Sequence, residues 1–104
     1  MAQTEPLQHE PLHHVDLPGD RTPIVLVHGL ASCLRLWDGV AARLNAQGHR
    51  VVACDLRGHG LSPKPDGPYD VATVAGDVLA LADDLGLGPF LVAGQSYGGT
   101  VATS

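Results

Sequence analysis

Six residues near the end of the 104-residue sequence, Gly94-Gln95-Ser96-Tyr97-Gly98-Gly99, have the types and spacing of a nucleophile on a sharp turn. They follow an apolar run, Phe90-Leu91-Val92-Ala93. Glycines on both sides of a serine let the backbone pass abruptly from strand to helix, with the serine strained at the apex. The hydroxyl then stands above the sheet edge at the positive end of a helix, where a nucleophile is useful. A second chemistry fits the spacing less well. Gly94 and Gly99 are separated as in a phosphate loop, but that loop requires Lys and then Ser or Thr next, and Thr100-Val101 stand there. A serine nucleophile needs a base and an orienting acid. All six histidines precede Ser96, and no Asp or Glu follows it in the eight residues that remain.

Two further motifs accompany the serine. Val27-His28-Gly29-Leu30 ends the apolar run Pro23 to Val27, and Asp55-Leu56-Arg57-Gly58-His59-Gly60-Leu61-Ser62 follows the run Arg50 to Cys54. Asp55 and Arg57 are expected to pin the second loop by hydrogen bonds, and His59 sits in its glycine turn. His9, His13 and His14 read as solvated. Asp77, Asp83 and Asp84 read as a solvated helix face, and Trp37 as a core anchor. Cys33 and Cys54 lack metal-like spacing, so no metal and no disulfide is expected. Cys54 reads as a small buried hydrophobe and Cys33 as partly exposed.

The elements that must position these residues alternate in type. Residues 1–11 are polar and proline-containing and read as a frayed or disordered tail. Leu12 to Asp16 suits a short strand. The run Pro23 to Val27 is continuous and apolar, as in a strand covered on both faces, and Arg50 to Cys54, with its apolar run Val51 to Cys54, reads as a second buried strand. Between them, Trp37, Val40, Ala41 and Leu44 recur at helical spacing from about Leu34 to Ala46, and Gly48 ends that helix. After the Gly/Pro-rich loop, Asp70 is placed to cap a second helix with the stripe Val71, Val74, Val78, Leu81 and Leu85. Gly76 inside it reads as a close packing point, and Gly86 as its end. Phe90 to Ala93 is a third buried strand. Ser96 turns into a third helix that is cut off at Ser104, and strand, helix, strand, helix, strand, helix predicts an α/β fold: a mostly parallel sheet with flanking helices and right-handed crossovers.

Composition sets the frame. The length allows one small domain. Apolar residues make up 44%, as in a folded globular chain. The net charge of −5 comes without a basic patch, so nucleic acid is not an expected partner. No apolar run approaches the roughly 20 residues of a membrane span. The polar start, Met1-Ala2-Gln3-Thr4, does not read as a signal peptide, and a cytoplasmic protein is expected.

The three motifs, in this order and each at a strand end, resemble the N-terminal half of the α/β-hydrolase family. The resemblance covers Val15 to Ser104, and residues 12–104 read as the N-terminal part of such a domain. It implies that Ser96 is the nucleophile, with Gly94 and Gly98 shaping its turn. It implies an oxyanion hole from the backbone N–H groups of Tyr97 and Leu30. His28, Gly29, Asp55, Arg57, Gly58 and Gly60 then support the motifs, and His28 shapes the oxyanion loop rather than acting as base. The implied reaction is cleavage of an ester, thioester or amide of a small acyl substrate through an acyl-enzyme, without a cofactor. Serine at the elbow argues against dehalogenase or epoxide-hydrolase chemistry, which uses Asp there. Peroxide or an alcohol could also intercept the acyl-enzyme. The family order is serine, acid, histidine. The expectation is therefore a truncated α/β-hydrolase fold, the front part of a longer enzyme, with the 104 residues inactive alone. The alternative is a catalytically dead remnant that acts as a binding fragment. The last strand, central in the full fold, would become an exposed edge open to self-association.

Overall fold

In the computed structural model, residues 12–29 and 32–94 are described. Strand β1 (His14–Leu17) leads into β2 (Arg21–Val27). A 3₁₀ turn (Leu34–Trp37) runs into helix α1 (Asp38–Ala46), followed by β3 (His49–Cys54). Helix α2 (Val71–Asp84) and strand β4 (Leu91–Gly94) complete the described elements. The sheet order is β1-β3-β2-β4. The pairs β2–β3 and β2–β4 are parallel, and β1 lies antiparallel to β3. The expected α/β class and mostly parallel sheet are therefore present, with β1 as an antiparallel edge.

The two central strands are buried over residues 24–27 and 51–54, where their runs are apolar at every position. Side chains alternate between the faces. Ile24, Leu26, Val51 and Ala53 meet Leu34 and Ala41 on one face, with Trp37 and Leu44 packed against them. Val25, Val27, Val52 and Cys54 meet Val74, Val78, Leu81 and Ala82 on the other. The chain moves one way along the sheet from β2 to β3, and the opposite way from β3 to β4. Crossovers of one hand must then place α1 and α2 on opposite faces. Pro23 cannot donate to the ladder, and the β2–β3 register shifts between Arg21 and Ile24, around it.

Helix α2 is bounded as its sequence predicts. The Asp70 carboxylate accepts from the Thr73 N–H at its start. At its end Gly86 takes φ +64°, the Gly86 N–H bonds Asp83 O, and the Leu87 N–H bonds Ala82 O. This pair of bonds is the Schellman arrangement, and buried Leu87 supplies its apolar contact. Three expectations need correction. Gly76 is no packing point among the described residues: a Cβ there would meet none of them within 4 Å. Val40 is exposed, so the stripe of α1 narrows to Ala41 with Trp37 and Leu44 beside it. Strand β4 is exposed along its whole length, which departs from the buried strand read from its apolar run and agrees with the expected open edge; among the described residues it pairs only with β2. No described helix is long and apolar enough to cross a membrane.

Candidate active site

Parallel strands bring their carboxyl ends to one edge of a sheet. Here Val27 is in register with Cys54 on one side and with Gly94 on the other. The next residues are His28, Asp55 and Gln95. All three motifs therefore leave the sheet from a single row. The crevice outside such strand ends is where open α/β sheets bind ligands. Ser96, Tyr97, Gly98 and Leu30 lie outside the described residues, as does His9. Gly94 is the last residue of β4.

His28 is fully buried, and both its ring nitrogens meet main chain. Nε2 accepts from the Leu56 N–H at 2.9 Å, so Nδ1 carries the proton and donates to Gly29 O at 2.6 Å. This arrangement fixes one neutral tautomer and leaves no free lone pair for proton abstraction. Burial is the main reason that the pKa lies below the usual histidine value; the Gly29 carbonyl and Asp55 oppose it, and His59 adds to it. The two imidazoles lie 4.9 Å apart, with His59 Nδ1 at 3.0 Å from Arg57 O.

Asp55 is buried at the start of the second loop. Its Oδ1 accepts from the Leu34 N–H at 2.7 Å and its Oδ2 from the Leu61 N–H at 3.0 Å. Gly58 and Gly60 take φ of +79° and +51°, which glycine adopts without a steric cost. Gly60 also leaves room for the Asp55 carboxylate, which a Cβ would overlap. A Cβ on Gly58 would lie 2.7 Å from the Tyr69 ring. Ser62 is buried; its hydroxyl donates to Asp55 O and accepts from the His13 N–H. Arg57 reaches the other way. Its Nε and Nη2 donate to the Asp77 carboxylate at 2.5 and 2.8 Å, and its Nη1 donates to Pro68 O. That carboxylate raises the Arg57 pKa.

Asp77 is thus no part of a solvated face but the anchor of the loop on α2. It stands three residues after Val74 and one before Val78, on the flank of the buried stripe, and that offset was the available signal. His13 and His14 are half-buried on the β1 side rather than solvated; His14 Nδ1 lies 2.9 Å from Leu12 O. Cys54 is buried, with its thiol pushed up to about 12 by desolvation, and Cys33 is partly exposed. Trp37 packs against the α1-side core, but its indole Nε1 is buried without a partner among the described residues. No group of three or more His, Cys, Asp or Glu among the described residues could hold a metal ion.

A family model described as alpha/beta hydrolase fold matches residues 22–104. The chain belongs to the α/β-hydrolase fold family. It is 39% identical to a non-heme chloroperoxidase of Streptomyces lividans over 79% of this chain and 30% of that protein. It is 40% identical to a soluble epoxide hydrolase of Corynebacterium sp. strain C12, over 88% of this chain and 31% of the relative. The enol-lactonase of Burkholderia xenovorans LB400 superposes with a TM-score of 0.81 at 36% identity, covering 86% of this chain and 35% of that one. This hydrolase-fold chain spans about a quarter to a third of the length of the relatives it matches.

Proposed function

We propose that this chain supplies the nucleophile and the oxyanion hole of a serine hydrolase acting on small-molecule esters or lactones. The observation that carries the reading is the single register row of Val27, Cys54 and Gly94, from which all three motifs depart. The Ser96 hydroxyl would attack the acyl carbon, and its proton would pass to a base. The Leu30 and Tyr97 N–H groups would stabilise the tetrahedral oxyanion. The alcohol would then leave with a proton, and water would release the acid from Ser96. Family members include an epoxide hydrolase, a lactonase and a chloroperoxidase in name. Serine rather than Asp at the elbow favours the ester and lactone side of that range. His28 is committed to main chain through both ring nitrogens, so it is not the base of this proposal.

The test is to read the coding DNA past Ser104 and express the protein that it encodes. We expect a frame with a strand-end Asp or Glu and then a His, fluorophosphonate labelling of Ser96, and turnover of a chromogenic short-chain ester. Ser96→Ala should lower that turnover by about 10⁴-fold or more. Turnover that survives Ser96→Ala, or a coding sequence without such a frame, would overturn the proposal.

A further inference from the structure

We propose that Asp55 is a positioning residue for the loop that carries the oxyanion donor Leu30. The inference rests on the serine-hydrolase reading above and deepens it. The segment from His28 to Leu34 leaves β2 and enters the 3₁₀ turn. Adjacent residues of the neighbouring strand end hold it at both ends. At one end the Leu56 N–H donates to His28 Nε2 at 2.9 Å. At the other the Leu34 N–H donates to Asp55 Oδ1 at 2.7 Å. His28, Leu34, Asp55 and Leu56 are all buried, so water does not compete for these bonds. Leu30 lies in sequence between the two fixed points.

Asp55 is itself fixed four times. Its N–H donates to His13 O at 2.8 Å, and its carbonyl accepts from the Ser62 hydroxyl. Its carboxylate oxygens take the Leu34 and Leu61 N–H groups, and Gly60 closes against them. A buried carboxylate is costly unless its acceptors are filled, and here main-chain donors from two loops fill them. The result is a bracket on His28 and Leu34, the two ends of the segment. An oxyanion donor must stand about 2.7–3.1 Å from the developing charge, with little tolerance, so a bracket on its loop reaches the chemistry without touching substrate.

The experiment uses the protein expressed for the Ser96 test above. Fluorophosphonate labelling of Ser96 is followed by mass spectrometry and expressed per folded molecule. Asp55→Asn places an amide where two N–H groups point, and it should slow labelling at least about tenfold. Replacing the Leu34 backbone amide by an ester deletes one donor and keeps the side chain, and it should slow labelling comparably. Asp16→Asn, which removes the Arg50 partner on β1, should leave the rate unchanged. If Asp55→Asn does not fold, the Leu34 ester alone decides. Ser96-dependent labelling that stays within about twofold in the folded Asp55 or Leu34 variants would overturn the positioning role. Equal labelling of the parent chain and Ser96→Ala would instead overturn the nucleophile reading beneath it.

Discussion

His28 shows how one buried side chain can make a fold sensitive to acid. Its Nε2 must remain an acceptor for the Leu56 N–H, and protonation would turn it into a donor facing a donor. Burial therefore holds its pKa below the value of the unfolded chain, which is near 6.5. The unfolded state then binds the proton more readily. Stability from this group is complete above about pH 6.5 and is lost as pH falls towards the folded pKa. His59 and Asp55 face the ring and act in opposite directions on it. Urea midpoints should fall as pH drops from about 7.5 to 5, and His28→Gln, which keeps an acceptor and does not titrate, should flatten that slope. An unchanged slope in the variant would remove His28 from the account. At this scale the motif was legible in sequence, because His-Gly after a buried strand names the position. The tautomer was not, because it depends on the Leu56 N–H, 28 residues away.

Loops are held by elements, and the Asp55 to Ser62 loop is held by α2 through Arg57. The Arg57 side chain is only 5% exposed and Asp77 21%, so removing the acid leaves a guanidinium with little water. Asp77→Ala should destabilise the chain by about 2–4 kcal/mol, read as a lower denaturant midpoint. Asp77→Asn, which keeps one acceptor, should cost less. Gly76 on the same helix gives the opposite sign. Among the described residues nothing stands within 4 Å of a Cβ there, so Gly76→Ala should stabilise by roughly 1 kcal/mol, and a loss of stability would show a contact at that face. Capping residues made the ends of α2 readable in advance, since Asp70 and Gly86 act on the nearest turns. The fate of Asp77 was not readable that way. Charge on a helix flank looks the same in sequence whether it meets water or a buried arginine. Val40 misled for a similar reason: helical spacing gives a stripe, but α1 buries only the part of it that the sheet reaches.

Across the whole molecule the sheet has unequal edges. Strand β1 closes one side with a short antiparallel pairing. Strand β4 leaves Leu91 57% and Val92 38% exposed. An apolar strand with free backbone groups is a template for another strand. The 104-residue chain should therefore self-associate with rising concentration in sedimentation experiments, and Val92→Lys should shift it towards monomer. A parent chain that stays monomeric and melts cooperatively at high concentration would sink that expectation. Sequence by itself determined the alternation of elements, the α/β class and the order of the three motifs. These follow from local chemistry: β-branched runs, helical periodicity, capping residues and glycine turns. Only the tertiary structure decided that Val27, Cys54 and Gly94 share one row, that Asp55 and Leu56 grip both ends of the His28 to Leu34 segment, and that Asp77 pairs with Arg57. Register and pairing between distant segments depend on how buried surfaces fit together, and no local pattern carries that information.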